Sequence, residues 1–181
     1  MNSLGEEILS HYETYLGEYI GADCYTNQDR QIQLLGYGVI KDSLLFATFG
    51  LSNYADSVGE PMEVVLAVDD DYDTCAEVFM NAIFYAVSNK MNLARGTVIS
   101  GADAIADQFS ARHDKSAVYF TDVFLLPETF GSVDDKCRIL MAFFISQTEA
   151  DFIRQNGFEQ FEELMESKDV DVIDLNRASV V

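Results

Sequence analysis

Two segments of this chain are apolar on both faces when they are read as β-strands, and they constrain the fold most. Residues 62–69 (MEVVLAVD) carry a single polar position, Glu63, before their terminal aspartate, and residues 136–146 (KCRILMAFFIS) are apolar on both faces from Ile139 onward. A strand with one solvated face would alternate between polar and apolar residues. We therefore predict two inner strands of a sheet that other elements cover on both faces.

The other predicted elements come in runs of strands and runs of helices rather than in strict alternation. Hydrophobic periodicity predicts helices over residues 4–19 and 75–91, a helix from Thr148 to the Asn156-Gly157 pair, and a further helix holding Phe158, Phe161, Leu164 and Met165. Strands are predicted over residues 32–40, 43–50 and 117–127, with a mixed loop of short elements over 97–116.

This order of elements predicts the α+β class. The loop between residues 43–50 and 62–69 leaves no room for a helix, so that pair is expected to be antiparallel, and residues 117–127 and 136–146 are expected to form a hairpin. The expected fold is a single-domain α/β sandwich over residues 1–181, with a largely antiparallel or mixed sheet and helices packed on it.

Three serine or threonine residues lie at capping-box spacing before predicted helices. The spacing predicts capping boxes that join Ser3 to Glu6, Thr74 to Glu77, and Thr148 to Asp151.

The charge balance bears on the kind of partner. The 181 residues include 31 acidic and 11 basic side chains, which gives a formal charge of −20. Such a field repels nucleic acid and anionic membranes and attracts basic proteins, although an acidic surface also serves solubility alone.

The N-terminus lacks the pattern of a signal peptide, and no apolar run approaches the length of a membrane span. The three scattered cysteines, Cys24, Cys75 and Cys137, are expected to be reduced and mostly buried, as in a cytoplasmic protein.

The common catalytic and cofactor motifs are missing from the sequence. Neither glycine-rich phosphate-binding pattern occurs, and Ser52 lacks the glycine of a nucleophile elbow. His11 and His113 have no metal-ligand spacing with the cysteines, and His113 is expected to be a solvated loop residue. We predict no catalytic residue, no metal site and no cofactor. A hydrolase that uses His113 with an acid and a nucleophile stays open as an alternative.

The aspartates after residue 68 allow a weak calcium hypothesis. Asp69, Asp71 and Asp73 match the first, third and fifth positions of an EF-hand loop, but Thr74 and Met80 occupy its sixth and twelfth positions. Carboxylates before a helix start are favoured by the helix dipole, which is the simpler interpretation. Adventitious calcium binding at residues 69–73 remains an alternative.

Acidic residues are also unevenly distributed along the chain. No lysine, arginine or histidine lies between Asp42 and Asn89, and a second acidic run spans residues 159–174. The segment is either a solvated acidic surface or a docking face for a cationic protein. On the second interpretation, the predicted partner-binding residues are Asp56, Glu60, Asp69, Asp70, Asp71 and Asp73.

An ordered set of short motifs resembles the suppressor of fused (SUFU) domain family from about residue 30 onward. They are a T-x-G-x-S segment (Thr48, Gly50, Ser52) before the E-V-V-L strand with Glu63, an E…G…L block (Glu149, Gly157, Leu164), and a terminal D-L-N-R with Arg177. Family members often carry a basic residue before the glutamate strand, where this chain has Glu60-Pro61-Met62.

The resemblance implies a protein that binds another protein without catalysis. The animal member inhibits a transcription factor by gripping an extended peptide between two domains, whereas this chain resembles one domain alone. Small bacterial members resemble immunity proteins of polymorphic toxin systems. We therefore expect a cytoplasmic bacterial immunity protein, or antitoxin, that neutralises a basic toxin domain. The alternative is an intracellular peptide- or protein-binding regulatory module.

Near the end of the acidic chain, Arg177 is expected to pair with an acid such as Glu63 and so to hold the tail against the sheet.

Overall fold

The computed structural model describes residues 3–38, 42–106 and 108–181. The helices are α1 (Leu4–Leu16), α2 (Ala55–Val58), α3 (Tyr72–Asn89), α4 (Phe109–His113), α5 (Gln147–Asn156) and α6 (Phe158–Ser167). Three short 3-10 helices span Leu51–Tyr54, Ala102–Ile105 and Glu128–Gly131. The strands are β1 (Gly21–Asn27), β2 (Arg30–Tyr37), β3 (Leu44–Phe49), β4 (Met62–Val68), β5 (Val98–Ser100), β6 (Ala117–Asp122), β7 (Ser132–Val133) and β8 (Cys137–Ile145).

The described strands form one mixed sheet with β4 and β8 at its centre. The order is β1-β2-β3-β4-β8-β6-β5, and the short β7 pairs with β8. The β4–β8 pair is parallel, whereas β3–β4 and β6–β8 are antiparallel. Every residue of β4 is buried, and so is every residue of β8 except Arg138. The two inner strands, the antiparallel pairings and the α+β fold class are therefore confirmed.

Helices cover both faces of the sheet, which explains why the inner strands are apolar on both sides. Val64 and Leu66 of β4 face the core beneath α3, while Val65 faces the other core. The second core is built by apolar residues of α1, α5 and α6 together with the alternate residues of the strands. The long helix predicted over 75–91 is α3, and its apolar face supplies much of the first core.

Some elements differ from the sequence prediction. The strand β1 was missed because its residues are almost all exposed and show no alternation. The connection from β3 to β4 was expected to lack helix but contains a 3-10 turn followed by α2, a four-residue helix. The strand predicted over 32–40 begins at Arg30 and ends at Tyr37, and its residues 39–40 lie outside the described residues.

One predicted capping box is correct and two are wrong. Ser3 and Glu6 form the predicted box at α1. The box of α5 instead joins Ser146 to Glu149, two residues before the predicted pair. The residue before α3 is Asp71, which makes no side-chain cap, and the Thr74 hydroxyl donates to its carboxylate at 2.8 Å.

The cysteines are free thiols; Cys75 and Cys137 are buried and Cys24 is exposed on β1. In the described part of the chain, no helix has the length and apolar character needed to cross a bilayer.

Candidate functional site

The residues of the T-x-G-x-S segment converge on the buried carboxylate of Glu63. The Thr48 hydroxyl donates to Glu63 Oε2 at 2.6 Å and the Gly50 amide to Oε1 at 2.9 Å. The amides of Leu51 and Ser52 complete the set, each at 3.2 Å. These amides lie at the start of the 3-10 helix Leu51–Tyr54. The N–H groups at the start of a helix have no partner within the helix, and here the Glu63 carboxylate accepts their hydrogen bonds.

This arrangement holds the loop between β3 and β4 rather than presenting an acid to solvent. The Thr48 hydroxyl also accepts the Val64 amide at 2.8 Å, and Tyr12 of α1 donates to the Thr48 carbonyl at 3.0 Å. Gly50 has a φ of 103°, a conformation that side-chain-bearing residues rarely adopt. Burial raises the pKa of Glu63, while the hydrogen bonds from Thr48, Ser52 and Gly50 act to lower it. The signature therefore specifies local architecture.

Arg177 does not pair with Glu63; that prediction is wrong, and its partner is Glu149 of α5. The guanidinium makes a two-pronged ion pair with this carboxylate, with distances of 2.7 and 3.1 Å, and it also donates to the Phe144 carbonyl of β8 at 3.2 Å. Glu149 is fully buried, and it also accepts the amides of Ser146 and Val180. The pair thus ties the tail to the sheet as expected, but through a different acid.

A buried lysine closes the same cluster. Lys115 is 1% exposed and donates to the carbonyl oxygens of Arg177 at 2.8 Å and His113 at 3.1 Å. Burial and the neighbouring Arg177 charge lower the pKa of Lys115. Burial alone would raise the pKa of Glu149. The hydrogen bonds and the charge of Arg177 outweigh this effect and hold the pKa of Glu149 below its usual range. Sequence reasoning missed Lys115, and no spacing pattern marks it.

The aspartates after β4 contact the tail as well. The Leu175 amide donates to Asp69 Oδ1 at 3.0 Å, and Arg112 of α4 contacts Asp70 at 3.4 Å. His113 is buried rather than solvated, with Nε2 3.2 Å from Asp71 Oδ2 and Nδ1 2.8 Å from Asn176 Oδ1.

Charge and hydrogen bonding around Asp71 favour its ionised form. Burial alone would raise its pKa, but hydrogen bonds from Thr74 and His113 and the charge of Arg112 bring the pKa of Asp71 below its usual value. Both ring nitrogens of His113 face polar partners, so this histidine positions the tail. In the ranges that the structure describes, no three His, Cys, Asp or Glu side chains are grouped so as to hold a metal ion.

The six acids of the predicted docking patch lie in two groups, one before the start of β4 and one after its end. Asp69, Asp70 and Asp71 follow the end of β4, whereas Glu60 precedes its start and contacts Arg138 at 3.3 Å. A seven-residue strand separates the two groups by about 20 Å. Asp56, Glu60, Asp69 and Asp73 are exposed, and Asp70 and Asp71 are partly buried. The docking role of the six residues stays a prediction.

A groove on the α6 side of the sheet was not predicted from the sequence. It has a volume of about 570 Å³. Its lining includes the buried side chains of Tyr119, Phe143, Met165 and Val172. Its charged lining residues are Arg95, Asp122, Glu162, Glu166 and Asp169.

Glu162 is the centre of a polar cluster in this groove. Its carboxylate accepts the Tyr119 hydroxyl at 2.7 Å, the Thr121 hydroxyl at 2.8 Å and Arg95 Nε at 2.9 Å. Burial opposes ionisation, but the hydrogen bonds from Arg95, Tyr119 and Thr121 outweigh it and lower the pKa of Glu162. The charge of Glu162 is therefore already compensated within the protein.

One family model matches most of this chain. The model of the suppressor of fused protein (SUFU) family matches residues 35–178. A curated relative, Immunity protein YqcF of Bacillus subtilis (strain 168), is 27% identical over 144 residues, covering 75% of this chain and 73% of the relative. The crystal structure of a SUFU homolog from Neisseria gonorrhoeae FA 1090 superposes with a TM-score of 0.72 at 15% identity, covering 98% of this chain and 96% of the other.

Proposed function

Because the chain belongs to the suppressor of fused family, we propose that it is an immunity protein, or antitoxin, that neutralises a partner toxin by binding it. The observation that carries this proposal is the relative named as an immunity protein, which aligns with three quarters of the chain. On this proposal the protein acts in the bacterial cytoplasm, where its toxin would otherwise act. Inhibition comes from occupying the toxin, so the protein itself needs no catalytic residue and no cofactor.

Two features of the molecule support a binding role. The polar clusters around Glu63 and Glu149 hold loops and the tail in place, which gives a surface that needs little ordering on binding. The formal charge of −20 favours a basic toxin domain over nucleic acid or an anionic membrane, since opposite charge accelerates encounter. Exposed acids such as Asp56 and Asp73 would contribute to this steering.

One structural feature favours the alternative function, a regulatory module that binds an extended peptide. The strand β1 lies at one edge of the sheet, pairs with β2 on one side, and has almost all its residues exposed. An exposed edge of this kind can accept an added strand through backbone hydrogen bonds.

Co-expression tests the immunity function. The product of the adjacent gene should arrest growth when it is expressed alone, and growth should recover when this chain is co-expressed and co-purifies with it. The Glu63→Lys variant is a negative control, because it buries an uncompensated cation and should misfold. It should neither restore growth nor co-purify with the toxin. A harmless gene product, or a toxic one that this chain neither binds nor suppresses, would contradict the proposal. Co-purification with a non-toxic regulatory protein would favour the alternative.

A further inference from the structure

We propose that the groove between β6 and α6 is the docking site for a basic side chain of the partner, a lysine or arginine that is flanked by large apolar residues. This inference rests on the proposed function for the identity of the partner, but the chemistry of the groove is visible without it. The groove combines an apolar floor, an exposed aromatic ring, and two carboxylates that form no ion pair within the described residues.

The charged residues that line the groove differ in whether an ion pair compensates them. Arg95 compensates Glu162, and Arg138 contacts Asp122 at 2.6 Å. Neither Glu166 nor Asp169 makes an ion pair with any residue in the described ranges, and both are exposed. The groove therefore carries two carboxylates that form no ion pair with a basic residue of the described chain.

Both of these acids lie at the C-terminal end of α6. Glu166 lies in the last turn, Asp169 follows the helix, and the last turn contains no basic residue. The C-terminus of a helix carries partial negative charge, so carboxylates there are repelled rather than stabilised. The nearby Lys168 forms no ion pair with either acid in the described ranges, and its ammonium group donates to the Val180 carbonyl at 2.7 Å. A cation that enters the groove would remove this repulsion.

The apolar part of the groove consists of buried side chains and one exposed aromatic ring. Phe143 and Met165 are 4% and 8% exposed and so form a well-packed floor. Phe124 lies in the lining of the groove with 54% of its surface exposed. An aliphatic stem of lysine or arginine can lie along such a floor while its charged end reaches the rim, and a neighbouring apolar side chain can cover the Phe124 ring.

The groove also connects with the sequence-predicted patch at one residue. Arg138 links Asp122 of the groove to Glu60, with contacts of 2.6 and 3.3 Å. Glu60 therefore borders this surface, whereas Asp69, Asp70 and Asp71 are engaged with the tail and α4. The inferred docking surface is thus the β6–α6 groove with Glu60 at its margin.

The first experiment reverses the charge of Glu166 and Asp169, the two acids of the groove that form no ion pair. The double variant Glu166→Lys/Asp169→Lys should associate with the neighbouring gene's toxin about tenfold more slowly, with a weaker salt dependence, since rim charges act mainly on the association rate. The control is Glu13→Lys/Asp29→Lys, which makes the same charge change at exposed positions outside the groove, on α1 and at the β1–β2 turn. It should reduce the association rate no more than about twofold. Equal losses in both variants, or none in the groove variant, would overturn the groove as the docking site.

The second experiment uses a probe that does not depend on the toxin. A blocked peptide in which lysines alternate with phenylalanines should shift the NMR signals of the Met165 methyl group and the Val170 amide, and the rim variant should lose these shifts. The same peptide with glutamates in place of lysines should leave both signals unchanged. Shifts located elsewhere, or equal shifts with both peptides, would overturn the inference.

The two experiments separate failure of the groove from failure of the proposed function. If the lysine peptide binds the groove but the neighbouring gene product does not bind, the immunity function fails and the groove stands. If the toxin binds with the same rate constants to the rim variant and the wild type, the groove fails and the function stands.

Discussion

Removing Arg177 should be among the most destabilising single changes in this protein. The Arg177→Ala variant would remove the ion-pair partner of the fully buried Glu149, leave it the amides of Ser146 and Val180, and also remove the contact to the Phe144 carbonyl. Breaking a buried ion pair by deleting one partner typically costs about 3–5 kcal/mol. We therefore expect the free energy of unfolding to fall by about 4 kcal/mol.

Urea denaturation followed by circular dichroism measures this change, and an exposed pair in the same region provides the control. Arg154 contacts Asp151 at 2.8 Å on the surface of α5, with 66% of its side chain exposed. The Arg154→Ala variant should therefore lose less than about 0.5 kcal/mol.

A double variant separates loss of the pair from loss of packing. Replacing both partners, as in Arg177→Met/Glu149→Leu, should destabilise less than the sum of the two single changes by about 1–3 kcal/mol, since no unpaired charge stays buried. A loss below about 1 kcal/mol for Arg177→Ala, or strict additivity in the cycle, would refute the role assigned to this pair.

Three further predictions concern the other buried groups. Glu63→Gln should lower the free energy of unfolding by about 1–3 kcal/mol in urea denaturation, since the amide group of glutamine cannot accept all the donors around Glu63; an unchanged midpoint would contradict this. The lowered pKa of Glu149 implies stability that is present above its ordinary value of 4.5 and is lost as pH falls through the folded pKa, so Glu149→Gln should flatten the fall of melting temperature below pH 4.5, and parallel curves would contradict this. In the native protein a thiol reagent should label Cys24 rapidly and the buried Cys75 and Cys137 only after unfolding, and rapid labelling of all three would be inconsistent with the core.

The inner strands could be predicted because burial on both faces leaves a direct mark on the sequence. β4 and β8 read as continuous apolar runs, and both lie at the centre of the sheet. The strand β1 leaves no such mark, since most of its side chains are solvated and only pairing with β2 defines it. Hydrophobic periodicity reflects the burial of side chains, and an exposed edge strand buries almost none of its side chains.

The tail contacts were harder to predict because they join residues that are far apart in sequence. The family motif identified Arg177 as structural, but among the many acids of the chain nothing favoured the actual partner, Glu149, over the expected Glu63. A signal did exist: Ser146 precedes Glu149 at capping-box spacing, which marks that glutamate as the start of a helix. The groove depends on the meeting of β6 with α6, as in the Tyr119–Glu162 contact, and no local pattern encodes that meeting.

Titration calorimetry of the purified chain with the product of the adjacent gene tests the central claim most directly. The immunity function predicts saturable binding with a dissociation constant of about 1 µM or lower, which weakens as salt rises from low to physiological concentration. Absence of binding at low salt, where attraction between opposite charges is strongest, would contradict it.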